Sequence, residues 1–132
     1  MTQRRQDIEI LLVEDNELTA IEIEQLLHAA HFSNIRRAEN GSEALQMIKQ
    51  LSPDLILSDL RMPVMGGYEF LQRLAEHEYR GGIIIVSGVD QEIRQSVEQG
   101  LSSSKLNILG IVSKPLHLDD IESAVKWVWP DA

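Results

Sequence analysis

Cysteine is absent from the 132 residues, so the chain has no disulfide framework, no thiol nucleophile and no zinc–thiolate site. Basic residues are scarce: 12 Lys and Arg stand against 21 Asp and Glu, a formal net charge of -9. Nucleic-acid phosphates need a basic face, so this balance argues against direct nucleic-acid binding and suits a cation site or basic partners. No apolar run approaches the roughly 20 residues that span a bilayer, and Met1–Asp7 is polar where a secretory signal would be apolar. A cytoplasmic protein without membrane association is therefore expected. The Gly-rich, Lys-Ser/Thr signature of a P-loop hydrolase is missing as well.

What is present is a set of short runs rich in branched aliphatics: Ile8–Val13, Leu55–Ser58, Ile83–Val86 and Ile108–Val112. Runs without in/out alternation read as strands of a parallel sheet covered on both faces. Helical segments alternate with them, so the expected fold is a doubly wound (βα)5 sandwich of flavodoxin-like type, with a five-stranded parallel sheet in order 2-1-3-4-5. At 132 residues this is one domain. Its core is expected over about 7–129, with 130–132 beginning a linker.

Along the chain, Asn16 can cap a first helix reaching about Ala30, with Leu18, Ile21, Leu26 and Ala30 as inward candidates. Ile35–Ala38 is less apolar and suits an edge strand. Asn40-Gly41-Ser42 turns the chain into a second helix, which Ser52-Pro53 stops because the residue before proline avoids the α region. After Leu55–Asp59, the loop Met62–Gly67 leads into a third helix ending near His77. Gly81-Gly82 opens the fourth strand, and Asp90 can cap a fourth helix carrying Ile93, Val97 and Leu101. Ile108–Ser113 is the fifth strand. Leu118–Val128 is the fifth helix, with Leu118, Ile121, Val125 and Val128 inward and Trp127 on another face.

Each central run ends in a polar residue able to do chemistry: Glu14-Asp15, Asp59, Ser87 and Lys114. The carboxyl ends of parallel strands form one rim, so side chains spread over a hundred positions can converge there. A lone Asp at a strand end is usually a cap or a turn residue. Three acids at the ends of neighbouring strands 1 and 3 are different, because unpaired they raise one another's pKa. A hard divalent cation such as Mg²⁺ relieves that repulsion. The alternative is that one acid stays protonated. Lys114, facing the acids, is a candidate to bind an anion held by the metal, and Ser87 can donate a hydrogen bond to the same anion.

This constellation resembles the receiver domain of bacterial two-component response regulators. The residues that carry the resemblance are Glu14-Asp15 after Ile10-Leu11-Leu12-Val13, Asp59 within Ser-Asp-Leu-Arg-Met-Pro, Met65-Gly66-Gly67, Ser87 and Lys114-Pro115. The resemblance implies that Asp59 accepts a phosphoryl group from a histidine kinase or phosphotransfer protein. It implies Mg²⁺ on Asp15, Asp59 and the backbone carbonyl of Arg61, with Glu14 acting through water. Lys114 and Ser87 would contact the phosphoryl oxygens, and Ser87 would report phosphorylation. The Lys114–Pro115 bond is expected to be cis. The domain itself is then a regulatory phosphoacceptor rather than an enzyme, switching the face of its fourth helix, fifth strand and fifth helix to control an output domain or partner.

Two departures bear on that switch. Ile111 stands where the family usually places Tyr or Phe, and the stretch from Ser87 to Lys114 is longer than usual by about a helical turn. With the wording Leu106–Leu116, these features are similar to receivers that precede EAL-type cyclic-di-GMP phosphodiesterase domains. Trp127 reads either as a partner or homodimer anchor or as cover for the helix flank. Rival classes are a degenerate receiver that binds without phosphorylation and an aspartate-nucleophile phosphohydrolase. The latter wants an Asp two positions after the nucleophile, where Arg61 stands.

Overall fold

The computed structural model describes residues 4–59, 65, 67–87 and 105–130. A single 3-10 turn, Arg5–Asp7, leads into β1 (Ile10–Val13) and α1 (Glu17–Ala29). Then come β2 (Ile35–Ala38), α2 (Gly41–Leu51), β3 (Leu55–Asp59), α3 (Gly67–Glu76), β4 (Gly82–Ser87), β5 (Asn107–Ser113) and a C-terminal helix, Leu118–Val128. All strand pairs are parallel, in the order β2-β1-β3-β4-β5. The doubly wound architecture expected from the runs is the one observed, and β2, half-buried along most of its length, is an edge strand. The helix expected from Asp90, with Ile93, Val97 and Leu101, lies outside the described residues.

Two apolar layers enclose the sheet. Ile10, Leu12, Leu55, Leu57, Ile84 and Val86 face α1 and the C-terminal helix. Leu11, Val13, Ile56, Ile83 and Ile85 face α2 and α3, where Phe70, Leu71 and Leu74 pack on them. Burial on both sides is why these strands read as unbroken aliphatic runs.

Helix starts follow their sequence signals. The Asn16 side chain accepts from Thr19 N at 2.9 Å, and that of Asn40 accepts from Glu43 N at 2.8 Å. The inward face of α1 corrects half of the expectation: Ala30 is buried and Leu26 packs against the core, but Leu18 and Ile21 do not face it. Ala20, Ile23 and Leu27 are buried, whereas Leu18 is 73% and Ile21 43% exposed. Apolar residues lie on both sides of this helix, and the sheet takes the side bearing the small Ala20. The C-terminal helix differs similarly: Ile121, Ala124 and Val125 are buried, while Leu118 and Val128 at its two ends are exposed.

Strand β5 holds an irregularity that the sequence does not announce. Ile83 pairs with Ile108 but Ile84 with Gly110, so Leu109 and Gly110 occupy the place of one residue. This β-bulge re-phases every side chain beyond it. Leu109 and Val112 consequently pack toward α1 and the C-terminal helix, while Ile108 and Ile111 pack toward the α2–α3 face.

Candidate functional site

The sheet order brings the chemistry together. β1 and β3 are neighbours in register, Val13 opposite Ser58, so Glu14 and Asp59 leave adjacent strand ends. β5 lies two strands from β3, and Lys114 follows its last residue through a cis Lys114–Pro115 bond. The lysine's four-carbon stem covers that gap. Its Nζ donates to Asp59 Oδ2 at 2.8 Å and to Glu14 Oε1 at 3.0 Å.

Glu14 and Asp59 are nearly inaccessible, at 1% and 6% exposure, whereas Asp15 is exposed. The second Glu14 oxygen accepts from Asn16 N at 3.1 Å. Burial pushes the Glu14 carboxyl above its usual range, opposed by its hydrogen bonds from Lys114 and Asn16. Burial alone would lower Lys114, but its hydrogen bonds to Asp59 and Glu14 outweigh that and leave it raised. The acidic repulsion expected from sequence is thus relieved by a third route, an ammonium shared between two carboxylates.

A cation still fits. One carboxylate oxygen from each of Glu14, Asp15 and Asp59 falls within 4.8 Å of the others. An all-oxygen donor set with one exposed member suits a hard ion that keeps several waters, as Mg²⁺ does. The other site residues divide by location. Ser87 ends β4, opposite Ser113 on β5, which puts its backbone at the same rim; its side chain lies outside the described residues. Arg61, expected to lend a carbonyl, lies outside them too. Ile111 is half-buried on the α2–α3 face. Trp127 is 83% exposed and remote from the acids in the chain's course.

Sequence reasoning missed Arg37. From β2 its Nε donates to Glu14 O at 3.1 Å and its Nη2 to Asp15 O at 3.3 Å. An arginine on an edge strand looks like a solvated charge, and the pairing of Leu12 with Arg37 is what brings it beside the end of β1.

The sequence profile of the response regulator receiver domain family matches residues 10–126. The chain belongs to this receiver family. Among curated relatives, the nitrate/nitrite response regulator protein NarL of Escherichia coli K12 is 31% identical over 117 residues, covering 88% of this chain and 52% of that protein. The chemotaxis protein CheY of Halobacterium salinarum is 29% identical over 119 residues, covering 89% and 92%. Two-component system protein A of Emericella nidulans is 32% identical, with 91% of this chain but 17% of that protein covered. The chain thus spans about half the length of NarL and 17% of the Emericella protein. Among solved structures, the receiver domain of a signal transduction histidine kinase from Syntrophus aciditrophicus superposes with a TM-score of 0.73 at 25% identity, covering 92% of this chain and 89% of that one.

Receivers are the phosphoacceptor modules of two-component signalling, and this chain has that role. The family is regulatory, binds Mg²⁺ at its acidic site and works with histidine kinases or phosphotransfer proteins and with output domains. No helix among the described residues is long and apolar enough to cross a membrane.

Proposed function

We propose that Asp59 is the phosphoacceptor. The observation that carries this reading is the Lys114 ammonium held 2.8 Å from Asp59 Oδ2 and 3.0 Å from Glu14 Oε1, beside an exposed Asp15. Of the two carboxylates that share the Lys114 ammonium, Asp59 is the nearer, and among the described residues that ammonium is placed to follow a transferred anion. An Oδ–P bond forms as the donor's bond to phosphorus breaks, and the leaving group keeps that electron pair. Asp15 and Asp59 would hold Mg²⁺ directly, with Glu14 acting through water and the Arg61 carbonyl as a further ligand, and the ion would neutralise charge on the phosphoryl oxygens. Lys114 exchanges part of its carboxylate pairing for a phosphoryl oxygen. The Ser87 hydroxyl takes another and reports the change.

The partner that delivers the group must reach the same rim. Beside Lys114 runs an open groove of ≈ 530 Å³, lined by Thr19, Glu22, Ile23 and Leu26 of α1 and by Pro115 and Leu116. Leu18 and Ile21 stand exposed on the same helix. This partly apolar edge beside Lys114 suits a helical kinase or phosphotransfer partner. The output signal passes through Ser87 and Ile111, the latter without a polar ring tip, and Trp127 is a candidate anchor for a partner or second copy. Relatives named as a nitrate/nitrite response regulator and as a protein-glutamate methylesterase/protein-glutamine glutaminase match this chain over 52% and 24% of their own length. An EAL-type cyclic-di-GMP phosphodiesterase output is supported by the Leu106–Leu116 wording together with Ile111 and the longer stretch from Ser87 to Lys114.

The test is labelling with acetyl phosphate in Mg²⁺. The parent chain takes up one acid-labile phosphoryl group, and Asp59→Asn takes up none. Undiminished labelling of Asp59→Asn would overturn the assignment. Leu18→Ala/Ile21→Ala is expected to slow transfer from a phosphorylated protein donor while leaving acetyl phosphate labelling unchanged.

A further inference from the structure

The last ladder bond between β1 and its edge neighbour is Glu14 N to Ala38 O, at 3.0 Å. Beyond it β2 leaves toward the Asn40 cap of α2, and no further β2 backbone pairs with the Glu14–Asp15 connection. Carbonyls at such a strand end find their donor elsewhere, in a side chain or in water. Arg37 supplies two, one to each of the consecutive carbonyls of Glu14 and Asp15. A guanidinium's rigid fork spans adjacent carbonyls in a pre-set geometry, whereas an ammonium on a flexible stem holds two acceptors with less control of their relative orientation. Both bonds go to backbone oxygens, which leaves the carboxylates directed elsewhere. Glu14 is held further by Lys114 and Asn16. Asp15 is exposed, so a fixed backbone limits the range over which its carboxylate can move.

We propose that Arg37 is a positioning residue for the cation site, its guanidinium holding the Glu14–Asp15 backbone so that both carboxylates converge with that of Asp59. This rests on the reading of these three acids as the Mg²⁺ site. Its sign is distinctive. As a nearby positive charge, Arg37 opposes cation binding through space; as a backbone clamp, it favours cation binding by fixing the ligands in advance. Removing it therefore separates the two effects.

Mg²⁺ affinity of the unphosphorylated chain, measured by isothermal titration calorimetry, is the readout, with metal-free thermal unfolding recorded alongside. Arg37→Gln and Arg37→Lys are both expected to weaken Mg²⁺ binding by about tenfold, the low end of what losing an outer-shell partner costs. Binding as tight as the parent's in either variant, or tighter in Arg37→Gln, overturns the proposal. A role confined to stability would lower the metal-free Tm and leave the dissociation constant of the folded protein unchanged, which also overturns it. Asp15→Asn separates this failure from failure of the site reading. If Asp15→Asn binds Mg²⁺ as the parent does, the acids are not the site. If it loses binding while Arg37→Gln keeps it, the clamp alone is wrong.

Discussion

The Arg5 guanidinium joins three pieces of chain, donating to Ala30 O at 2.7 Å, pairing both nitrogens with the Glu122 carboxylate at 2.6 and 2.7 Å, and lying 5.2 Å from the Phe32 ring centroid. A bidentate pair of this kind sits at the upper end of what a part-exposed ion pair contributes, about 1 kcal/mol. Glu122 is held below the usual carboxylate range by its hydrogen bond from Arg5. A lowered carboxylate stabilises the fold above its unfolded pKa and loses that contribution as pH falls through the folded value. Glu122→Gln is therefore expected to be less stable than the parent by a constant amount between about pH 8 and 5, the difference closing below about pH 4; urea unfolding across pH reads this directly. Tyr79 has the opposite sign. Its hydroxyl donates to Pro53 O and lies 3.3 Å from Gly82 O, and burial, reinforced by Asp54, raises its pKa. A raised phenol stabilises fully below its unfolded pKa of about 10 and is lost as pH climbs beyond it. Tyr79→Phe should cost about 1 kcal/mol at pH 7, and the gap from the parent should shrink in alkaline urea titrations. Neither role is legible from sequence: Arg5 and Glu122 lie 117 positions apart.

At the scale of elements, each of the three helices α1 to α3 is followed by a non-glycine residue with positive φ: His31 at 74°, Ser52 at 45° and Glu78 at 58°. Glycine is favoured at such helix ends because it has no Cβ to crowd the left-handed backbone. His31→Gly, Ser52→Gly and Glu78→Gly are each expected to stabilise by about 0.5–1 kcal/mol, once glycine's greater chain entropy is set against the relief. Measured as shifts in urea midpoint, the three should add, since they sit at separate helix ends. Element boundaries were legible because Asn16, Asn40 and Pro53 each carry a local physical reason. The packed faces were less so. Leu18 and Ala20 are both apolar, and the docking angle of α1 chose between them. The bulge at Leu109 and Gly110 was not legible, since its signal is a pairing with β4 rather than a residue type. That bulge is what turns Ile111 toward the α2–α3 face.

For the whole molecule, the rim stores like charges that the fold forces together, and a bound cation should stabilise it by mass action. Mg²⁺ at about a hundred times its dissociation constant is expected to add about 2.7 kcal/mol. Thermal unfolding in Mg²⁺ against EDTA checks this, and Asp15→Asn should lose most of the gain. Lys114→Ala should lower metal-free stability by about 1.5–3 kcal/mol, since it removes charged hydrogen bonds to two buried carboxylates, and Mg²⁺ should recover part of that loss. The sequence by itself determined the fold class, the strand and helix order, and the residues at each strand's carboxyl end, because hydrophobic period, caps and proline act locally. Tertiary structure decided which of those residues touch. Strand order set Glu14 beside Asp59, the reach of Lys114 across β4 replaced repulsion with a shared ammonium, and pairing of β2 with β1 put Arg37 on the loop that carries the acids. These contacts join residues 22 to 100 positions apart, and a one-dimensional pattern holds no information on distances that only the folded sheet creates.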